Sequence, residues 1–228
     1  MGVRTVFNNS AHEYDATRKQ LIPCFDDFYG TALGLIATHP HPPGRILDLG
    51  AGTGLFSHLV SRIYPKAEYT LYDISDKMLD QAKKRFSNSD ITVNYVVKDY
   101  AKEPIKGTYD LIISALSIHH LSGTEKEILF HNLYNLLNDN GLFINADQVL
   151  GETPFIEQSY RSAWIKQVRQ KGIGEADLDH ALKRMKEDRM STLSDQLNWL
   201  IKAHFSEVNC WYQNYSFVVY SGWKQSRI

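Results

Sequence analysis

Arg45-Ile46-Leu47-Asp48-Leu49-Gly50-Ala51-Gly52-Thr53-Gly54 is the stretch that decides how this chain folds. Ile46, Leu47 and Leu49 are apolar and β-compatible, and Pro42-Pro43-Gly44 stops any helix ahead of them, so a buried strand is predicted here. Three alternate glycines follow. With no Cβ they let the backbone turn sharply and come close to a ligand. Leu55, Leu59 and Ile63, with Phe56 and Val60 alongside, then recur at helical spacing until Pro65. Strand, glycine bend, helix is the nucleotide-binding corner of an open α/β sheet.

The register of the glycines narrows the ligand. The dinucleotide fingerprint is G-x-G-x-x-G with pyrophosphate on the helix N-terminus. Here the third glycine comes one residue early, and Asp48 stands two places before the first. A carboxylate there repels a pyrophosphate and suits a cationic amino group, which favours an amino-acid-bearing nucleoside over NAD. The run Asp48-x-Gly50-x-Gly52-x-Gly54 resembles the first motif of the class I S-adenosylmethionine-dependent methyltransferases, position for position. That resemblance implies a Rossmann-like, doubly wound, seven-stranded α/β sheet, mostly parallel with an antiparallel last strand. It also implies S-adenosylmethionine as cofactor, with Asp48, Gly50, Ala51, Gly52 and Gly54 at its site.

Bulk properties exclude several alternatives. The 228 residues fit one α/β domain with room for insertions. Lys and Arg total 25 against 26 Asp and Glu, so no broad basic field points to nucleic acid. No apolar run approaches a membrane span, and the N-terminus lacks an apolar signal core. Cys24 and Cys210 are far apart and lack metal spacing, which reads as two reduced thiols in a cytoplasmic protein. A monomer or homodimer with no nucleic-acid or membrane partner is expected.

Residues 1–44 read as a helical cap, mostly helix from Ala11 to Ala37 with a break at Pro23. Tyr14, Arg18, Leu21, Phe25 and Phe28 share one face at spacings of three and four. The phrase Tyr14-Asp15-x-x-Arg18 resembles the segment that folds over the cofactor in small-molecule methyltransferases. By that likeness Tyr14 and Arg18 are cofactor contacts, the arginine facing a carboxylate.

Residues 45–149 form the cofactor-binding core. A second strand, Glu68–Tyr72, ends at Asp73, which lies 19 residues after Gly54, close to the ~20 expected for a ribose-binding acid. Ser75 caps a helix bearing Met78, Leu79, Ala82 and Phe86 on one face, while Lys83, Lys84 and Arg85 suit its C-terminal dipole. By the resemblance, Ile74 and Met78 lie against adenine, Asp99 takes the adenine amino group, and Tyr100 and Ser114 complete the set. Ile91–Val97 and Tyr109–Ser114 are the third and fourth strands.

His119 and His120 follow the fourth strand, where open α/β sheets bind their ligands, and are the candidate catalytic bases. No third metal ligand stands near them at a recognisable spacing, so no metal is expected. The base-methylating segments Asn-Pro-Pro-Tyr and Asp-Pro-Pro-Tyr are absent here. Glu125–Asn138 reads as an amphipathic helix ended by Asn140-Gly141, and Leu142–Ala146 as the fifth strand, with Asp147-Gln148 on the ligand side.

Residues 150–191 read as a helical insertion, one helix from Thr153-Pro154 and a charged one over Glu175–Arg189, broken at Gly172 and Gly174. Tyr160, Arg161 and Trp164 are its candidate substrate contacts. Residues 192–228 hold a final helix and two strands, Val208–Tyr212 and Tyr215–Tyr220, joined at Gln213-Asn214. This tail loosely resembles that of the carboxy-S-adenosylmethionine synthases. The expected function is therefore in-line methyl transfer to a small-molecule acceptor. The alternatives are modification of the cofactor itself, or a cofactor-binding partner subunit without turnover.

Overall fold

The computed structural model describes residues 14–226, with side chains from Arg18 onward. The cap comprises α1 (Tyr14–Leu21) and α2 (Phe25–Ile36), separated at Pro23 as expected. The core then alternates β1 (Arg45–Leu49), α3 (Leu55–Ser61), β2 (Glu68–Asp73), α4 (Asp76–Phe86), β3 (Thr92–Val97) and β4 (Tyr109–Ala115). A 3-10 turn over Ile118–His120 leads to α5 (Gly123–Leu136) and β5 (Leu137–Gln148). After these come α6 (Pro154–Gln170), α7 (Glu175–Arg184), α8 (Leu193–Lys202), β6 (Ser206–Asn214) and β7 (Phe217–Trp223).

The seven strands lie in the order β3-β2-β1-β4-β5-β7-β6. All neighbours pair in parallel except β7, which runs antiparallel between β5 and β6. The expected seven-stranded doubly wound sheet is what forms. Alternation along β1 sends Ile46 and Asp48 to one face and Leu47 and Leu49 to the other. Ile46 joins a core with Phe28, Tyr29, Ile36 and Phe56 beneath α2 and α3. Leu47 and Leu49 pack with Phe130, Leu133 and Leu200 beneath α5 and α8. A sheet covered on both faces explains why its central strands are almost continuously apolar.

Three boundaries differ from the sequence expectation, each for a local reason. β5 begins directly after α5, at Leu137, and its pairing with β4 slips between Tyr109 and Leu111. Asn138–Gly141 is thus an excursion within a strand, held by Lys224, whose carbonyl accepts from Asn140 N (2.7 Å) and whose N–H donates to Gly141 O (2.9 Å). The last hairpin turns at Tyr215-Ser216, with Tyr215 in the left-handed region (φ 52°), because Asn214 pairs with Phe217. The charged helix α7 ends at Arg184, and the 3-10 turn Met185–Glu187 redirects the chain so that Arg189 N donates to His119 O at 2.9 Å. Among the described residues no helix is long and apolar enough to cross a membrane.

Candidate active site

Strand order reverses between β1 and β4, and the crevice outside the carboxyl ends of these strands is where an open α/β sheet binds ligands. A cavity of about 630 Å³ opens there. The glycine bend makes its floor: Gly50 (φ 65°), Gly52 (φ 55°) and Gly54 (φ 72°) all take the left-handed conformation. A Cβ on Gly50 would run into the Ser117 side chain, whereas one on Gly52 would meet nothing within 4 Å. Gly52 therefore borders open space. The Arg85 side chain steadies the bend, its Nε donating to Thr53 O at 2.8 Å. Sequence placed Arg85 only as a helix-end cation.

Asp73 ends β2 beneath this bend. Its carboxylate accepts from Gly52 N (2.8 Å) and Ser75 N (2.7 Å). Burial pushes its pKa up to about 6 against the pull of these amides. Ile74, Met78, Asp99, Tyr100 and Ala51 also line the cavity. Tyr100 OH and Ser117 Oγ lie 2.7 Å apart, and Lys102 pairs with Asp99 at 2.9 Å. Arg18 is buried in the wall with its guanidinium 5.7 Å from the Tyr29 ring centre. Tyr14 begins α1, but its side chain lies outside the described residues.

Several expected contacts stand elsewhere. Asp48 points to the α3 face by strand alternation, where Ser57 Oγ donates to it at 2.6 Å, and it does not line the cavity. Burial raises its pKa to about 7, with Ser57 opposing. Gly54 serves packing, since a Cβ there would sit 3.0 Å from Ala82 Cβ. Ser114 Oγ donates to Leu49 O at 2.8 Å and ties β4 to β1. Arg161 is exposed, and Tyr160 accepts from Gln213 Nε2 (3.1 Å) on the far side of α6. Trp164, one turn on, does reach the site.

The pH behaviour of Asp48 is testable. A carboxyl whose folded pKa exceeds its unfolded value binds more protons when folded, so its contribution to stability falls as pH rises from about 4 to about 7. Asp48→Asn is expected to stabilise the ligand-free protein by about 1–3 kcal/mol at pH 8 and much less at pH 5. Urea unfolding at the two pH values measures this, and an equal difference at both would refute it.

A smaller cavity, about 120 Å³, adjoins the first and shares Arg18, Leu116, His120, Glu187 and Asp188 with it. Leu21, Ile22, Trp164, Met185 and Phe217 give it apolar walls. Leu116, at the junction, holds φ 53°, an uncommon conformation for leucine that tends to cluster at functional sites. The histidine pair stands at this junction, rings 4.0 Å apart. Asp147 accepts from His119 N (3.1 Å) and contacts His119 Nδ1 at 2.6 Å. Asp188 Oδ1 lies 3.1 Å from His120 Nδ1 and 3.7 Å from His119 Nε2.

Burial lowers the His119 pKa, but Asp147 and Asp188 outweigh it and the net shift is upward. His120 shifts down through burial and the neighbouring imidazole. The buried Lys126 ammonium, at about 8, donates to Arg189 O (2.5 Å) and Ser191 Oγ (3.0 Å) and pins the returning chain. Asp188 carried no sequence signal, because it sits in a charged stretch that reads as a solvated face.

Known proteins share this fold. Residues 46–141 match the family model described as a methyltransferase domain. Malonyl-[acyl-carrier protein] O-methyltransferase of Anoxybacillus flavithermus is 38% identical over 88 residues, 39% of this chain and 33% of that protein. The enzyme of the same name from Geobacter sulfurreducens is 29% identical over 167 residues, 71% of this chain and 58% of its own. The chain thus spans about a third to three-fifths of the length of these relatives. Magnesium protoporphyrin IX methyltransferase from Synechocystis PCC 6803, solved with bound S-adenosylhomocysteine, superposes with a TM-score of 0.69 at 15% identity, covering 98% of both chains. Human N-acetylserotonin methyltransferase gives 0.60 at 19% identity, covering 86% of this chain and 52% of that one. With the strand order and glycine bend taken together with this match, residues 46–141 form a methyltransferase domain, on a sheet that has the fold of the superposed methyltransferases.

Proposed function

We propose that this chain transfers a methyl group from S-adenosylmethionine to a small-molecule acceptor, working in the cytoplasm as a monomer or homodimer without a nucleic-acid or membrane partner. One observation carries this reading: a large cavity of mixed polar and apolar lining over the glycine bend opens into a small apolar one, with the histidine pair between them. The large cavity fits the nucleoside. Asp73 would accept from the ribose hydroxyls, Asp99 from the adenine amino group, and Ile74 and Met78 would flank the base. The open space above Gly52 admits the ligand backbone-close, and buried Arg18 supplies a cation for the carboxylate end.

The bound sulfonium supplies an electrophilic methyl for in-line displacement. The chain's part is then chiefly positioning and exclusion of water, effects worth roughly 7–11 kcal/mol in well-oriented systems. Trp164, Phe217 and Leu116 would hold the acceptor's apolar body, leaving its nucleophilic atom against His119 and His120. With Asp147 and Asp188 against them, the imidazoles are the groups placed to accept a proton from that atom.

Relatives named for O-methylation of a malonyl group favour an oxygen nucleophile. The test is incubation of purified chain with methyl-labelled S-adenosylmethionine and metabolite extract. A small product carrying the label is expected. Turnover confined to macromolecules, or none with a cofactor-binding protein, would overturn the reading.

A further inference from the structure

His119, His120 and Asp188 bring two ring nitrogens and a carboxylate oxygen within 4.8 Å of one another. Two imidazoles and one carboxylate form a donor set suited to divalent first-row cations. Donors bound at about 2.0–2.2 Å from a common ion stand roughly 3–3.5 Å apart. Of the separations from Asp188 Oδ1, 3.1 Å falls within that range and 3.7 Å lies just beyond it. We propose that this cluster is a binding site for one divalent transition cation, at the junction of the two cavities.

The surroundings are those of a ligand set rather than a simple ion pair. A carboxylate accepts only, so the 2.6 Å contact of Asp147 with His119 Nδ1 fixes a proton there and leaves Nε2, facing Asp188, as the nitrogen that a cation would bind in place of a proton. A carboxylate behind a ligating histidine is the common outer support of such sites. Asp147 and Asp188 supply negative charge in direct contact, and Glu187 adds another at the wall. Opposing cations are Arg18 and Arg184 on the small cavity, Lys102, Lys186 and Arg189 on the large one, and Lys126, whose ammonium is tied to Arg189 O and Ser191 Oγ. Both cavities border the cluster, so a ligand oxygen has access to the remaining coordination positions.

On the methyl-transfer reading, the base role of the imidazoles belongs to the metal-free chain; with the cation bound they are its ligands, and an acceptor hydroxyl there would owe its acidity to the cation. The site itself needs no cofactor. Sequence spacing offers no third ligand because Asp188 lies 68 residues from His120 and joins it only through the turn after α7.

The chelator-treated chain, without cofactor, should be titrated with Zn²⁺ by calorimetry and with Co²⁺ by visible absorption. One equivalent of each is expected, with d–d bands for cobalt. His120→Gln and Asp188→Asn should each weaken affinity at least tenfold, and Asp147→Asn by roughly 10–100-fold. In the unmodified protein, Zn²⁺ should move the ring-nitrogen NMR signals of His119 and His120 and spare the rest of the 9 histidines, a readout that no variant's folding can confound. Binding below one equivalent, or shifts at other histidines, would overturn the site. Zinc binding alongside absent S-adenosylhomocysteine binding would instead remove the methyl-transfer reading and leave the metal site standing.

Discussion

Gly52→Val is expected to abolish binding of S-adenosylhomocysteine, lowering affinity at least a hundredfold, while the protein still folds. A side chain at residue 52 would project into open space within the large cavity, where nothing of the protein lies within 4 Å. That is the space assigned to the ligand. The backbone there is left-handed (φ 55°), so a β-branched residue also costs about 1–3 kcal/mol of stability. Gly50→Ala should behave in the opposite way. Its new methyl would strike Ser117, disturb the Ser117–Tyr100 contact and damage the fold before the ligand is met. Calorimetry beside urea unfolding separates the two, and undiminished ligand affinity in folded Gly52→Val would refute the assignment of this cavity.

Asp73→Ala should weaken S-adenosylhomocysteine binding by about 1.5–3 kcal/mol, roughly ten- to a hundredfold, if its carboxylate accepts charged hydrogen bonds from the ribose. The geometry adds a second effect. Removing the carboxylate leaves Gly52 N and Ser75 N without the acceptor they meet at 2.8 and 2.7 Å, so the glycine bend loosens and stability falls by about 1–3 kcal/mol. Asp73→Asn retains an acceptor oxygen and should keep more stability than affinity. Equal affinity in parent and Asp73→Ala would exclude the ribose role.

The lining of the large cavity was legible because its residues are local to strand ends. Asp73 ends β2, Ile74 and Met78 come soon after it, and Asp99 and Tyr100 come just after β3; position along a parallel strand dictates which end faces the crevice. Asp48 shows the limit of that reading. Motif position put it at the ligand, but pleat parity turned it beneath α3 onto Ser57. The acceptor half was much less legible. Tyr160 and Trp164 are one turn apart on α6, yet only Trp164 faces inward, because its indole Nε1 donates to Leu21 O at 2.9 Å across the cap. Asp188 and Arg189 read as ordinary surface charge, and only long-range contacts to His120 and the His119 backbone bring them to the site.

Titration of the intact, folded chain with S-adenosylhomocysteine in a calorimeter probes the large cavity most directly. Saturating heat with one ligand per chain, lost in Gly52→Val, is the expected result. No heat from parent protein whose unfolding transition is cooperative would contradict the nucleoside assignment and the methyl transfer built on it.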